Sequence, residues 1–387
     1  PDAPAAFKDL TADELIADMG TGWNLGNTMD GHSGYAVGET AWQKNITTKS
    51  LIKAVHDMGF NTIRIPVTWG NMINTDNSIK EEWMARVQDI VDYATAQNMY
   101  VIINIHHDGA DNGEGNAHGW LDIDGTDEEF DAIVEKYAAV WKTIATRFKN
   151  YDEHLILESL NELFETGFGW SNNKDDVNRG LARINRLNQV FVDTVRATGS
   201  NNARRWLQIP TVNTQIKTVI ESGYNFKMPT DTIEGRLTLA VHDYDGYGNE
   251  SKNEGKSGGY AQQFSALKQK FVDKGIPVVI GEYGFKKNKI ENSREHKMEG
   301  VAYLAKKYHL VACVWDDNGG YIVVNRDYED QEDRSVAAIM RGTFYDTEDG
   351  QLPMVTPNAK LDDTFYYNDD KTKIYDSVWL RKLSSFD

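Results

Sequence analysis

Eight short apolar runs, separated by longer amphipathic stretches, set the first limit on what this chain can become. The runs lie at 20–25, 60–66, 100–106, 154–160, 204–209, 237–242, 276–282 and 310–316. Short apolar runs bounded by polar turns read as strands. Between them, Val177, Leu181, Ile184, Leu187, Phe191 and Val195 step by three or four residues, which predicts a helix with one apolar stripe over 177–195. Tyr260, Phe264, Leu267 and Phe271 predict another over 260–271, and Trp83, Val87, Ile90 and Ala94 a third over 81–96. Strands alternating with helices build parallel βαβ units. Eight such strands close a (β/α)8 TIM barrel, and 387 residues accommodate one with its loops. The competing architecture is an open doubly wound sheet. That fold favours a Gly-rich phosphate loop after its first strand, and "GWNLGN" at 22–27 lacks the G-x-G-x-x-G spacing.

Charge narrows the partners. With 40% hydrophobic and 26% charged residues the chain can bury an ordinary globular core. Its net charge of -18 argues against nucleic acid, which needs a cationic surface, and against an anionic membrane face. No apolar run approaches bilayer-spanning length. "PDAPAAFKDL" has no apolar core of a signal peptide, which fits a mature secreted chain, a trimmed chain or a cytoplasmic one. The single Cys313, inside "LVACVW", cannot form an intramolecular disulfide and reads as a small buried hydrophobe. A monomer is the default expectation.

The segments 107–126 and 243–259 are rich in Gly, Asn and Asp, and each follows a strand. They belong at the C-terminal face, where barrel active sites are built. Trp23, Trp42, Trp69, Trp120, Trp170 and Trp315 stand in polar surroundings, which suggests flat surfaces for stacking sugar rings. Residues 343–387, with Tyr366, Tyr367, Tyr375 and Trp379, are far fewer than the ~100 of a sandwich module. They read as an appendage packed on a barrel formed by residues 1–342.

Side chains alternate along a strand. In "NTIRIPV" Ile63 and Ile65 share one face; if they meet the outer helices, Arg64 points into the barrel, where it needs an anionic partner. In "VHDY" His242 and Tyr244 share a face, and in "VVIGEYG" Glu282 shares a face with Ile280. "ILESLNEL" carries Asn161 and Glu162 to its tip. Strand ends therefore bring Arg64, His106, Glu162, His242, Tyr244, Glu282 and Trp315 to one rim. Two carboxylates across a cleft suit the cleavage of a glycosidic bond, one as acid and one as nucleophile. Arg64 and the Tyr244 hydroxyl are expected to hold Glu282 ionised. The charge on Glu282 is then expected to keep Glu162 protonated, with Asn161 donating to a sugar 2-hydroxyl.

Two rival classes come from the same residues. "NIHHD" at 104–108 invites a metal-dependent barrel hydrolase, but adjacent strand residues face opposite ways, which separates His106 from His107. A non-catalytic glycan-binding barrel usually lacks one carboxylate, and both are present here. The acidic segments "DGADNGEGN" and "DYEDQED" miss the EF-hand spacing and read as solvated loops. No metal or cofactor is expected.

Seven motifs in one order carry a resemblance. They are "GWNLGNTMD" at 22–30, "GFNTIRIPVTW" at 59–69, "YVIINIHHD" at 100–108, "ESLNEL" at 158–163, "VHDYDGY" at 241–247, "VIGEYG" at 279–284 and "VWDDNGG" at 314–320. Together they resemble glycoside hydrolase family 5, in particular its endoglucanases. The resemblance implies a (β/α)8 barrel and retaining double displacement, with Glu162 on strand 4 as acid/base and Glu282 on strand 7 as nucleophile. It implies supporting roles for Arg64, His106, Asn161, His242, Tyr244 and Trp315. His107, Asn24, Asn27 and Trp42 match positions similar to substrate contacts in a subgroup of endoglucanases and xyloglucanases. It further implies a secreted or cell-surface endo-β-1,4-glucanase acting on a cellulose-like β-glucan, with xyloglucan, mixed-linkage glucan and mannan as alternatives. Two positions depart from the pattern. Leu163 stands where the family usually has proline, and Asp316 where the subgroup commonly has a second tryptophan.

Overall fold

A computed structural model describes residues 1–33, 36–109, 119–163, 173–244, 260–287 and 291–344. Eight parallel strands form a closed barrel: β1 (Thr21–Asn24), β2 (Thr62–Ile65), β3 (Tyr100–Ile103), β4 (Leu155–Glu158), β5 (Leu207–Gln215), β6 (Leu237–His242), β7 (Val278–Tyr283) and β8 (Val311–Val314). Chain order is barrel order, and β1 closes the ring by pairing with both β2 and β8. The expected (β/α)8 class is what forms.

Most strands are shorter than the apolar runs that announced them. The run at 100–106 keeps its ladder only to Ile103, so Asn104, Ile105 and His106 rise above the sheet. β5 departs the other way, running on to Gln215 through a register shift between Pro210 and Gln215. Proline cannot donate to a ladder, and bulges are where strands tolerate it.

The predicted helical stripes pack as expected except at Phe271, which lies just past the end of its helix and is only partly buried. Val177, Leu181, Ile184, Leu187, Phe191 and Val195 are all buried on the helix Lys174–Ala197, and Tyr260, Phe264 and Leu267 on Tyr260–Lys270. The helix Asp127–Phe148 starts with a capping box, in which Thr126 accepts from the Glu129 N–H and Glu129 reaches back to the Thr126 N–H. Thr11 and Glu14 do the same for Ala12–Met19, a helix that precedes the barrel and was not anticipated. Neither were the hairpins His32–Ser33/Ala36–Val37 and Val324–Asn325/Asp330–Gln331. The last helix, Ser335–Phe344, runs two residues past the expected boundary at 342. The rest of the proposed appendage, Trp170, residues 110–118 of segment 107–126 and residues 245–259 of segment 243–259 lie outside the described residues.

The two ends of the barrel do different work. At the lower end a fully buried Arg205 donates to Asn202 and to the backbone carbonyls of Phe148, Tyr151, Asp152 and Leu155. Burial pushes this guanidinium down to about 9. Arg205 thus clamps the end of the helix Asp127–Phe148 to the start of β4. Arg205→Met removes five buried hydrogen bonds, to Asn202 and to the carbonyls of Phe148, Tyr151, Asp152 and Leu155, at about 0.5–1.5 kcal/mol each. The expected outcome is a loss of at least ~3 kcal/mol in urea unfolding, with the specific activity of the remaining folded protein unchanged.

Candidate active site

Arg64, on the inward face of β2, is fully buried at the upper end of the barrel. Each of its five N–H groups has a partner. Nε and one Nη2 hydrogen go to Glu158 at 2.8 Å each, the second Nη2 hydrogen to Asn161 Oδ1 at 2.9 Å, and Nη1 to Asn24 Oδ1 at 3.1 Å and Glu282 Oε1 at 2.7 Å. The predicted anionic partner Glu282 is present. A second, Glu158, was missed, although the alternation that turned Arg64 inward also turns Ile156 and Glu158 inward. Gln208 Nε2 and Asn104 Nδ2 complete the surroundings of Glu158 at 3.0 and 3.5 Å.

Glu282 therefore sits in a prepared cradle. Arg64 holds one oxygen, and the Tyr244 hydroxyl donates to the other at 2.8 Å. Burial, with the charges of Glu282 and Glu162, pushes the Tyr244 phenol well above its usual range, so it stays protonated and donates. Gly281 makes the cradle possible, because a Cβ there would lie 2.9 Å from His242 Nε2.

Glu162 follows β4 and is half-buried. His242 Nδ1 bonds its Oε1 at 2.6 Å and lies 3.7 Å from Glu282 Oε2. One carboxylate oxygen of each glutamate and the His242 nitrogen all fall within 4.8 Å of one another. Here the structure corrects an expectation. Burial raises the Glu162 carboxyl, but the His242 hydrogen bond and the charges of His242, Arg64 and His107 outweigh it and bring it below its ordinary value. The charge of Glu282 does not decide the proton of Glu162.

His106 is fixed in one tautomer. Asn104 Oδ1 accepts from the Val67 N–H at 3.1 Å, so its Nδ2 donates to His106 Nδ1 at 3.1 Å and leaves the proton on Nε2. Burial, then the charges of His107, Arg64 and His242, keep this imidazole neutral. The regular strand has ended by this point, so His106 and His107 do not face apart. Their rings meet edge to face at 4.4 Å, which overturns the strand argument against a shared metal. The hydrogen bonds supply a better one. Among the described residues, Asp30, His106 and His107 form one group close enough to share an ion, and Glu162, His242 and Glu282 another. In the first, His106 Nε2 carries a proton, and both Asp30 oxygens accept backbone N–H groups from Asn27 and Thr28. In the second, both Glu282 oxygens are already bonded. An ion in either group would share these carboxylate oxygens with the donors already on them.

The remaining expected residues divide. Trp42 is 41% exposed and, with His32 and His107, forms an aromatic cluster at 4.8–6.0 Å. Trp315 lies parallel to the His106 ring, 2° apart in plane at 5.9 Å. Asn27 is half-buried in a left-handed conformation beside Asp30. Asn24 is fully buried and bonds the carbonyls of Gly281, Cys313 and Val314, so it braces the barrel and cannot touch a substrate. Trp23 and Trp69 are likewise core residues, their N–H groups donating to Asp316 and the Asn104 carbonyl. Asp316 is no gap in a stacking wall: it is buried and accepts from Trp23, Asn318, Val323 and Val324, locking the loop after β8. Leu163 is buried too, and its carbonyl accepts from the Asn213 N–H. In the loop at 327–333, Asp327, Glu332 and Asp333 pair with Lys44, Lys287 and Arg294, as suits a solvated loop. The other acidic segment lies mostly outside the described residues.

Removing Arg64 strands two buried carboxylates. Arg64→Met is expected to cost about 3–5 kcal/mol in chemical denaturation, and Arg64→Lys less, because an ammonium keeps the charge but only three donors. Asp30 generates a pH dependence. Burial, against the hydrogen bonds from Thr28 and Asn27, raises its carboxyl to about 7. An unfolded aspartate loses its proton near pH 4. Between these values the native state holds the extra proton, so stability falls as pH rises from about 4 to about 7, by at most ~1.4 kcal/mol per pH unit. Asp30→Asn is expected to flatten that slope when urea unfolding is compared at pH 5 and pH 7.

The family model described as Cellulase (glycosyl hydrolase family 5) matches residues 26–320. Endoglucanase A of Paenibacillus barcinonensis is 36% identical, over 87% of this chain and 92% of that protein. The solved family 5 xyloglucanase of Paenibacillus pabuli superposes with a TM-score of 0.75 at 34% identity, over 85% of this chain and 99% of its own. A glycoside hydrolase 5 lichenase from Caldicellulosiruptor sp. F32, in complex with cellotetraose, gives 0.75 at 33% identity, over 88% and 97%. The chain belongs to glycosyl hydrolase family 5.

Proposed function

We propose that this chain is a retaining endo-β-1,4-glucanase, with Glu282 as nucleophile and Glu162 as acid/base. The observation that carries the reading is the pair of carboxylates with oxygens within 4.8 Å and opposite surroundings. Retaining glycosidases hold their carboxyl groups about 5–5.5 Å apart, and inverting ones keep room for a water at about 6.5–9.5 Å. Arg64 and Tyr244 hold Glu282 as an anion with both oxygens fixed. In the first step a Glu282 oxygen bonds the anomeric carbon as the glycosidic C–O bond breaks, and the Glu162–His242 pair delivers a proton to the departing oxygen. In the second step Glu162 takes a proton from water, which attacks the same carbon and releases Glu282. Arg64 occupies Asn161 Oδ1, so the Asn161 NH2 is left to donate to the sugar 2-hydroxyl. Trp42 supplies an exposed ring for a sugar face.

Relatives named endoglucanase, xyloglucanase and lichenase support a β-glucan substrate with loops tuning the polymer. We read the protein as a monomer that acts outside the cell, where such polymers are found. No described helix is long and apolar enough to cross a membrane.

Carboxymethylcellulose, barley mixed-linkage glucan, tamarind xyloglucan and a mannan, tested with wild type and Glu162→Gln, check the reading. Rapid viscosity loss on a glucan with wild type, and a fall of 10²-fold or more for the variant, are expected. Binding without cleavage would replace the enzyme with a glycan-binding barrel. Glu282→Ala is expected to abolish turnover, with azide restoring cleavage and yielding the opposite anomer. A chelator is expected to leave the rate unchanged.

A further inference from the structure

Two groups hold the Glu282 carboxylate, and the fold anchors them differently. Arg64 lies within β2, inside the ladder. Tyr244 lies two residues beyond the end of β6, where the ladder no longer fixes the chain. Its hydroxyl nevertheless meets Glu282 Oε2 at 2.8 Å. A second ring packs on it. Tyr321, in the loop after β8, meets Tyr244 edge to face, with centroids 5.7 Å apart and planes 71° apart. Aromatic pairs favour that arrangement.

Tyr321 is itself pinned from several sides. Its N–H donates to Asp317 Oδ1 at 2.8 Å, and its carbonyl accepts from Arg294 at 3.2 Å. The Gly320 carbonyl accepts from the Lys287 N–H at 2.7 Å, which ties this loop to the chain beyond β7. Lys286 Nζ stands 5.7 Å from the centre of the Tyr321 ring. Gly284, two residues after Glu282, leaves the room: a Cβ there would lie 3.0 Å from Tyr321 Cδ1 and 3.5 Å from Trp315 Cβ. The chain segments that follow β6, β7 and β8 therefore converge on one ring. Tyr321 lies one position past the last of the seven motifs, so the sequence did not single it out.

We infer that Tyr321 is a positioning residue, whose ring holds Tyr244 so that the phenol stays on Glu282 Oε2 during the attack on the sugar. The inference rests on the retaining reading proposed above. As a Glu282 oxygen bonds the anomeric carbon, the glycosidic C–O bond breaks and its electron pair leaves with the departing oxygen. Tyr244 keeps its proton throughout and orients the carboxylate. Tyr321 acts only through Tyr244. Removing the Tyr321 ring therefore matters only while the Tyr244 hydroxyl is there to be aimed.

A double-mutant cycle on 2,4-dinitrophenyl β-cellobioside tests this, because that leaving group departs without a proton and kcat/KM then reports attack by Glu282. Tyr321→Ala is expected to lower kcat/KM by about 3–10-fold, the size of one aromatic pair. Tyr321→Phe keeps the ring and is expected to stay within about 2-fold of wild type. In Tyr244→Phe, which has lost the hydroxyl, adding Tyr321→Ala is expected to change kcat/KM by less than about 2-fold. The inhibition constant of cellotriose is expected to stay within about 2-fold in every variant. Should Tyr321→Ala fail to fold, as judged by its thermal midpoint, Tyr321→Leu makes the same comparison. Four results would overturn the inference and leave the hydrolase reading standing: no loss in Tyr321→Ala, an equal loss in the Tyr244→Phe background, a loss in Tyr321→Phe as large as in Tyr321→Ala, or a weakening of cellotriose that matches the loss. A wild-type protein that does not cleave the substrate would overturn both.

Discussion

The guanidinium of Arg64 organises the upper end of this barrel. Its five N–H groups reach β1 through Asn24, β4 through Glu158, the turn above β4 through Asn161, and β7 through Glu282. A buried cation of this kind is tolerated because two carboxylates surround it and every donor is used. Burial opposes its charge, and the Glu158 and Glu282 carboxylates more than compensate, so the guanidinium is held charged. Four parts of the fold are thereby tied to one rigid planar fork, and the position of Glu282 follows from it.

The electrostatics above that fork divide the rim into three states. Glu282 has both oxygens engaged, by Arg64 and Tyr244. His106 is a neutral ring locked by Asn104. Glu162 and His242 form a pair joined by a 2.6 Å bond. This division places two carboxylates with different surroundings in one cleft, with one oxygen of each within 4.8 Å of the other. The lower end carries none of this chemistry. There Arg205 is satisfied by carbonyls, in keeping with barrels whose lower face supports stability and whose upper face carries function.

Much of this was legible from periodicity. The eight apolar runs located the eight strands, and the stepping of Val177 to Val195 located a buried stripe. Alternation turned Arg64 inward and asked for a carboxylate. The same rule, applied to its own strand, would have found Glu158. What could not be read was where each ladder stops. Alternation holds only inside a strand, and the strand ends at Ile103, so it says nothing about His106 and His107. Tryptophans beside polar residues were ambiguous for a related reason. Trp23 and Trp69 satisfy their indole N–H groups inside the core, so polar neighbours in sequence did not mean exposure. The proton of Glu162 and the burial of Asn24 and Asp316 depend on partners 80, 257 and 293 positions away in the chain. No local pattern encodes those.

The carboxylate cradled by Arg64 and Tyr244 is the group proposed to attack the sugar. Incubation with 2,4-dinitrophenyl 2-deoxy-2-fluoro-β-cellobioside tests it directly, because the fluorine slows release of the covalent intermediate more than its formation. Peptide mass spectrometry then locates the adduct. One fluoroglycosyl group per chain, esterified to Glu282, is expected. An adduct on Glu162 or Glu158, or turnover that inverts the anomer without any adduct, would contradict it.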